Sequence, residues 1–133
     1  AGIARLDGYR DVVGDGPVAF GDFSEESGAA AMQRLLEHYP QIDAVFAASD
    51  KMAAGAMRVL RRHGLRVPQD VAMIGFDDSV IALHTEPPLT SVDQPIAEMG
   101  REMVRLLLAK IDGEEPDQNE IVLPTRLVVR GSA

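Results

Sequence analysis

Three apolar stretches of this sequence each run into polar side chains suited to holding a hydroxylated molecule. Asp22 and Phe23 follow residues 18–21, Ser49 and Asp50 follow residues 44–48, and Asp77 and Asp78 follow residues 71–76. A carboxylate accepts two hydrogen bonds at once and so matches vicinal hydroxyls, an aromatic face covers the apolar side of a ring, and an Arg fork such as that of Arg5 supplies donors. Together the set reads as a site for a neutral polyol. Each member also has an ordinary structural role open to it. Asp50 suits the cap of a following helix, Asp78 could cap in place of Asp77, Phe23 could be core, and Arg5 could be a solvated helix residue.

Catalytic patterns are poor. His38 and His63 fall near the ends of expected helices and His84 in a loop, with no i, i+4 ligand pair and no nucleophile partner. Phosphate-binding glycine strings are absent, and the chain has no cysteine, which removes disulfides, thiolate metal sites and a cysteine nucleophile. The expectation is a binding protein, not an enzyme, without metal or cofactor.

The elements that would position these groups follow from periodicity. Ile3, Leu6, Tyr9, Val12 and Val13 recur at helical spacing. Residues 18–21 could form a short strand. Ser24 reads as an N-cap with Glu25 and Glu26 in the first turn, and Pro40 ends that helix. The run 44–48 (AVFAA) reads as a strand buried on both faces. A helix follows with Met52, Ala56, Val59 and Leu60 on one stripe and Gly64 in the left-handed closing position. Residues 71–76 read as a second buried strand and 89–92 as a short one. Pro95 opens a helix carrying Ile96, Met99, Met103, Leu106 and Leu107, closed by Gly113, and residues 121–123 and 127–129 read as strands flanking Pro124. Alternation of this kind predicts α/β architecture with a largely parallel sheet, and in such sheets ligands sit beyond the carboxyl ends of the strands. The first helix has no strand before it, so the chain reads as beginning mid-fold.

The 133 residues carry a net charge of -8, with 46% hydrophobic and 26% charged side chains, which is globular composition. An acidic chain lacks the basic face that neutralises duplex phosphates, and Arg58, Arg61, Arg62 and Arg66 read as a solvated helix face. No apolar run approaches the ~20 residues needed to span a bilayer. No export signal is visible, and the lack of cysteine fits a reducing compartment.

The strings ARLDGYRD, GDFSEESGAAAM, VFAASDKMAAGAMRVLRRHGLRVPQDVAMIGFDD, PPLTSVDQP and LPTRLVVRGS stand in the order and spacing of the lactose-repressor/galactose-repressor (LacI/GalR) family, which the whole chain resembles. The resemblance implies a three-layer parallel-sheet sandwich, part of the type I periplasmic-binding-protein-like fold and mainly its C-terminal lobe. On that reading residues 1–88 form the C-terminal lobe, 89–112 the crossover and a helix of the N-terminal lobe, and 113–133 the return strands. It also implies a cytoplasmic regulator with a sugar-type effector, a homodimeric or domain-swapped assembly, and operator DNA contacted only through an N-terminal head outside these residues. Carried over by position, the effector-contacting Arg matches Arg5, followed by Gly8 and Tyr9; the aromatic after Gly-Asp matches Phe23; the polar pair matches Ser49 and Asp50; the Asp after Gly-aromatic matches Asp77. Ser49 stands where sugar-responsive members commonly carry Asn. In the family, residues 79–83 and the helix after Asp50 lie near the dimer interface. The Met99–Leu107 face, cut off from its own sheet, is expected to be exposed and to recruit another surface. A periplasmic sugar carrier of the same fold is the alternative. A phosphoacceptor receiver domain fits less well, since Lys51 and Lys110 both fall in expected helices.

Overall fold

A computed structural model describes residues 2–113 and 120–133. Four strands form one sheet in the order β1 (Ala44–Phe46), β2 (Ala72–Asp77), β3 (Thr90–Asp93), β4 (Arg126–Val128); the first three are parallel, and β4 runs antiparallel to β3. The helices are α1 (Gly2–Val13), α2 (Glu25–His38), α3 (Asp50–Arg62), α4 (Val80–His84) and α5 (Ile96–Ile111).

The core lies between one face of the sheet and the pair α2 and α3. Helix α3 buries Met52, Ala53, Ala56, Met57, Val59 and Leu60 along its predicted stripe, against Val71 and Met73 of the β2 region and Leu89. Leu60, Met73 and Leu89 are fully buried, and burial of a side chain of this size contributes roughly 1.5–3 kcal/mol. The helix ends follow the local signals. The Ser24 hydroxyl accepts from the Ser27 amide at the start of α2, and Gly64 (φ 72°) and Gly113 (φ 77°) take left-handed conformations past the ends of α3 and α5. His38, His63 and His84 each turn a ring nitrogen to the carbonyl four residues back, at 2.8, 3.0 and 2.8 Å, which gives all three a role at helix ends.

Ser132, past β4, ties β2 to β3. The Ser132 hydroxyl, fully buried, donates to the Met73 carbonyl at 2.6 Å and accepts from the Thr90 amide at 2.8 Å. Strand β3, expected at the head of the crossover, is an inner strand paired on both sides.

Several expectations need correction. Residues 18–21 run without ladder bonds, because an apolar groove separates them from β1. Residues 121–123 join no strand; the chain enters the sheet only after Pro124, which has no amide to donate. Strand β1 is not buried on both faces: it is an edge strand, and Ala44 and Phe46 are exposed on the side away from α3. The five-residue helix α4 was not expected. Helix α5 has no buried residue, and Met99, Met103 and Leu107 are exposed as anticipated while Leu106 is half-buried.

Candidate functional site

Three of the predicted residues converge at the carboxyl edge of the sheet. Arg5 reaches across from α1, donating one guanidinium nitrogen to the Ala48 carbonyl at the end of the β1 run and another to Asp77 Oδ1 at 3.3 Å. Its guanidinium carbon lies 3.8 Å from the centre of the Phe76 ring and 5.9 Å from that of Phe23. Phe76 is braced edge-on by Phe46, with ring centres 6.3 Å apart. A cation over an aromatic face gains about 0.5–2 kcal/mol, more as water is excluded, and the Arg5 side chain is only 13% exposed. The guanidinium is thus fixed as a flat, oriented donor plate.

Asp77 closes the arrangement. Gln94, just past β3, donates Nε2 to the same Oδ1 at 2.6 Å. Among the described residues Oδ2 has no hydrogen-bond partner, and the side chain is 37% exposed, so one carboxylate oxygen faces outward between two orienting donors. Phe23 completes the wall from the turn before α2.

The backbone is held in unusual conformations at these points. Phe23 (φ 68°), Asp77 (φ 105°) and Asp78 (φ 47°) all have positive φ, which for residues other than glycine costs about 1–3 kcal/mol each and persists only where neighbours enforce it. For Phe23 the enforcement comes from Asp22. Its Oδ1 accepts from the Ser24 amide at 3.0 Å and hydroxyl at 2.5 Å, and its own amide donates to the Ser27 hydroxyl at 3.0 Å. These bonds, the Ser24 hydroxyl above all, pull the Asp22 carboxyl down to about 2. Asp78 turns the other way and pairs with Arg130 at 2.6 Å, which holds that guanidinium's pKa above its ordinary value.

Ser49 and Asp50 are placed differently. The Ser49 hydroxyl caps α3, accepting from the Met52 amide at 3.3 Å, and the residue is 4% exposed. Asp50, the first residue of α3, is 1% exposed and directs both oxygens inward: Oδ1 accepts from the Ser91 hydroxyl and Oδ2 from the Ser79 amide, each at 2.6 Å. Ser49, not Asp50, is therefore the cap, and the Asp50 carboxylate is not presented to the open edge. Gln94 and Phe76 were overlooked as site residues. Both stand inside the strings that carry the family resemblance, but Phe76 read as the end of a buried strand, and Gln94 fell between the 89–92 strand and the helix opened by Pro95.

Beneath Arg5 and Phe23 an apolar groove of about 350 Å³ continues between residues 17–21 and β1, bordered by Leu6, Tyr9, Phe20 and Phe46. Arg5 lines it, whereas Asp77, Ser49 and Asp50 do not. Among the described residues no group of His, Asp and Glu side chains is arranged to hold a metal ion, and no helix is long and apolar enough to cross a membrane.

Comparison with known proteins fits this geometry. The model of the periplasmic binding protein-like domain family matches residues 5–133. The HTH-type transcriptional regulator CelR of Thermobifida fusca is 52% identical over 139 residues, covering 99% of this chain and 41% of the relative. The HTH-type transcriptional repressor CytR of Escherichia coli is 42% identical over 115 residues, covering 86% of this chain and 34% of the relative. Among solved structures, a complex of transcriptional regulator CelR with cellobiose superposes with a TM-score of 0.94 at 51% identity, covering 99% of this chain and 42% of that one. A LacI-family sugar-binding transcriptional regulator from Escherichia coli, complexed with phosphate, gives 0.85 at 36% identity, covering 98% of this chain and 49% of that one. The chain spans about two fifths of the length of the CelR relative. It belongs to the periplasmic binding protein-like domain family, in the form carried by LacI-type transcriptional regulators, and makes up part of that domain.

Proposed function

We propose that this chain forms one wall of the effector cleft of a DNA-binding transcriptional repressor, and that a sugar held there changes the protein's affinity for its operator. The observation that carries the reading is the oriented Arg5–Asp77 pair. A stacked guanidinium and a half-free carboxylate lie side by side, flanked by Phe23 and Gln94, at the strand edge where parallel sheets bind ligands. Donor fork, acceptor and ring face are what a pyranose with vicinal hydroxyls requires. Arg5, Phe23 and Asp77 meet the effector directly, while Ser49 and Asp50 shape the wall behind them. The effector class is a glucose disaccharide, with cellobiose the first candidate on the strength of the CelR complex.

The mechanism is a population shift: the sugar favours one arrangement of two lobes, and a homodimer passes that preference to the DNA-reading heads. Operator contact belongs to a part of the protein beyond this acidic chain, the protein works in the cytoplasm, and it catalyses no reaction. Relatives described as HTH-type regulators favour this over a periplasmic carrier.

Titration calorimetry on the full-length regulator with cellobiose, maltose and ribose tests the proposal. Cellobiose is expected to bind, and Arg5→Ala or Asp77→Ala to abolish the heat while operator binding in a gel-shift assay persists. Unchanged sugar affinity in both variants would overturn it.

A further inference from the structure

We infer that Asp50 is a positioning residue, a buried clasp that imposes the left-handed turn at Asp77 and Asp78 and so aims the Asp77 carboxylate. The inference rests on the reading of Asp77 as an effector contact. Asp77 and Asp78 are consecutive non-glycine residues at φ 105° and 47°; Asp tolerates the left-handed region better than most residues, but as single residues, so two in succession need surroundings that hold them. Two of the bonds that do so lead to Asp50. The amide of Ser79, immediately past the strained pair, donates to Oδ2 at 2.6 Å. The amide of Asp78 donates to the Ser91 hydroxyl at 3.1 Å, and that hydroxyl donates its own proton to Oδ1 at 2.6 Å. One carboxylate thus fixes the two amides that follow Asp77, one directly and one through Ser91.

The carboxylate packs tightly over Gly75. A methyl group on Gly75 would stand 2.4 Å from Asp50 Oδ1 and 2.6 Å from Leu89 Cδ2, so the carboxylate fills a slot above β2 that only glycine leaves open. Arg130, paired with Asp78, supplies the nearby positive charge. Because Asp50 opens α3 and Ser79 precedes α4, the clasp also joins the first turn of one helix to the start of the other across the sheet edge.

In the full-length regulator Asp50→Ala removes both acceptors, whereas Asn would keep both routes by accepting from the Ser79 amide and donating to the Ser91 hydroxyl. Amide hydrogen exchange should show selective loss of protection at Asp78 and Ser79, and cellobiose affinity should fall about tenfold or more. In a double-mutant cycle, Asp50→Ala added to Asp77→Asn should weaken binding no further, because its effect passes through Asp77; a direct contact or a general loss of stability would add. Ser91→Ala, which removes one link and leaves the charge, should give an intermediate result and serves if Asp50→Ala fails to fold. Full protection of both amides in these variants, or additive losses in the cycle, would overturn the inference. If the wild type takes up none of the sugars, the sugar-effector reading falls, and the exchange measurement still decides whether Asp50 holds the turn.

Discussion

Helices α2 and α3 pack backbone against backbone at Gly28 and Gly55, and the contact gives a prediction whose sign depends on which of two effects wins. A Cβ on Gly55 would lie 2.0 Å from the Glu25 carbonyl oxygen and 2.9 Å from the Ala29 amide; one on Gly28 would lie 2.3 Å from the Met52 carbonyl oxygen. These neighbours are backbone, and no rotamer change relieves the contact. Carbon and oxygen settle near 3.3 Å or beyond, so Gly55→Ala must part the helices by about 1 Å. The separation opens the contact that keeps Met52, Ala53 and Ala56 at 8%, 0% and 4% exposure. Helix propensity favours Ala over Gly by about 1 kcal/mol, whereas forcing extra volume into a packed interface costs about 1–3 kcal/mol. With rigid atoms on both sides the upper end of the second range applies, and the net is destabilisation by about 2 kcal/mol. Gly8→Ala on α1 is the control, since no heavy atom lies within 4 Å of the added methyl and only the propensity gain of up to about 1 kcal/mol remains. Urea unfolding of the protein carrying each variant reads both. Gly55→Ala as stable as wild type would mean that the helices part freely, and the close-packed interface would not be what holds α2 in place.

Leu60→Ala, at a fully buried position facing the sheet, should cost about 2–5 kcal/mol in the same assay, and a loss under 1 kcal/mol would show that the site collapses around the cavity. The Asp22 and Asp70 carboxyls both titrate near 2, held down chiefly by Ser24 in one case and Arg66 in the other. Their folded values lie below the ordinary 3.8, so their stabilising contribution is complete above that pH and is lost as pH falls towards 2. Ser24→Ala should accordingly raise the Asp22 titration towards 3.8 in a carboxyl-carbon NMR experiment, and an unmoved midpoint would discount the hydroxyl as its cause. The isolated chain should self-associate through α5, whose Met103 and Leu107 are 64% and 58% exposed. Light scattering should show oligomers that Met103→Glu with Leu107→Glu disperses, and a monodisperse wild-type monomer would count against it.

The sequence was most informative where one element's own pattern decides its structure. The α3 stripe from Met52 to Leu60, the Ser24 cap and the closing glycines 64 and 113 are local signals, and each appears where it was expected. Strands were less legible because pairing is not local. Residues 18–21 and 121–123 have strand composition but no ladder partner, and the apolar string 44–48 carries the composition of a central strand although β1 lies at an edge. The candidate site divides along the same line. Arg5, Phe23 and Asp77 could be chosen because each ends or faces a recognisable element, and they converge. Asp50 could not be sorted. An aspartate after a buried strand has the same sequence signature whether it caps a helix, meets a ligand or ties down a turn. Its partners, Ser79 and Ser91, lie 29 and 41 residues further along the chain. The neighbouring Ser49 took the cap, the amides after the strained Asp77 turn lead back to Asp50, and Asp50 is buried away from solvent. The carboxylate that meets solvent and the one that supports it are thus distinguished by tertiary hydrogen bonds alone, which is why a substitution at Asp50 should be felt first as a disordered Asp77.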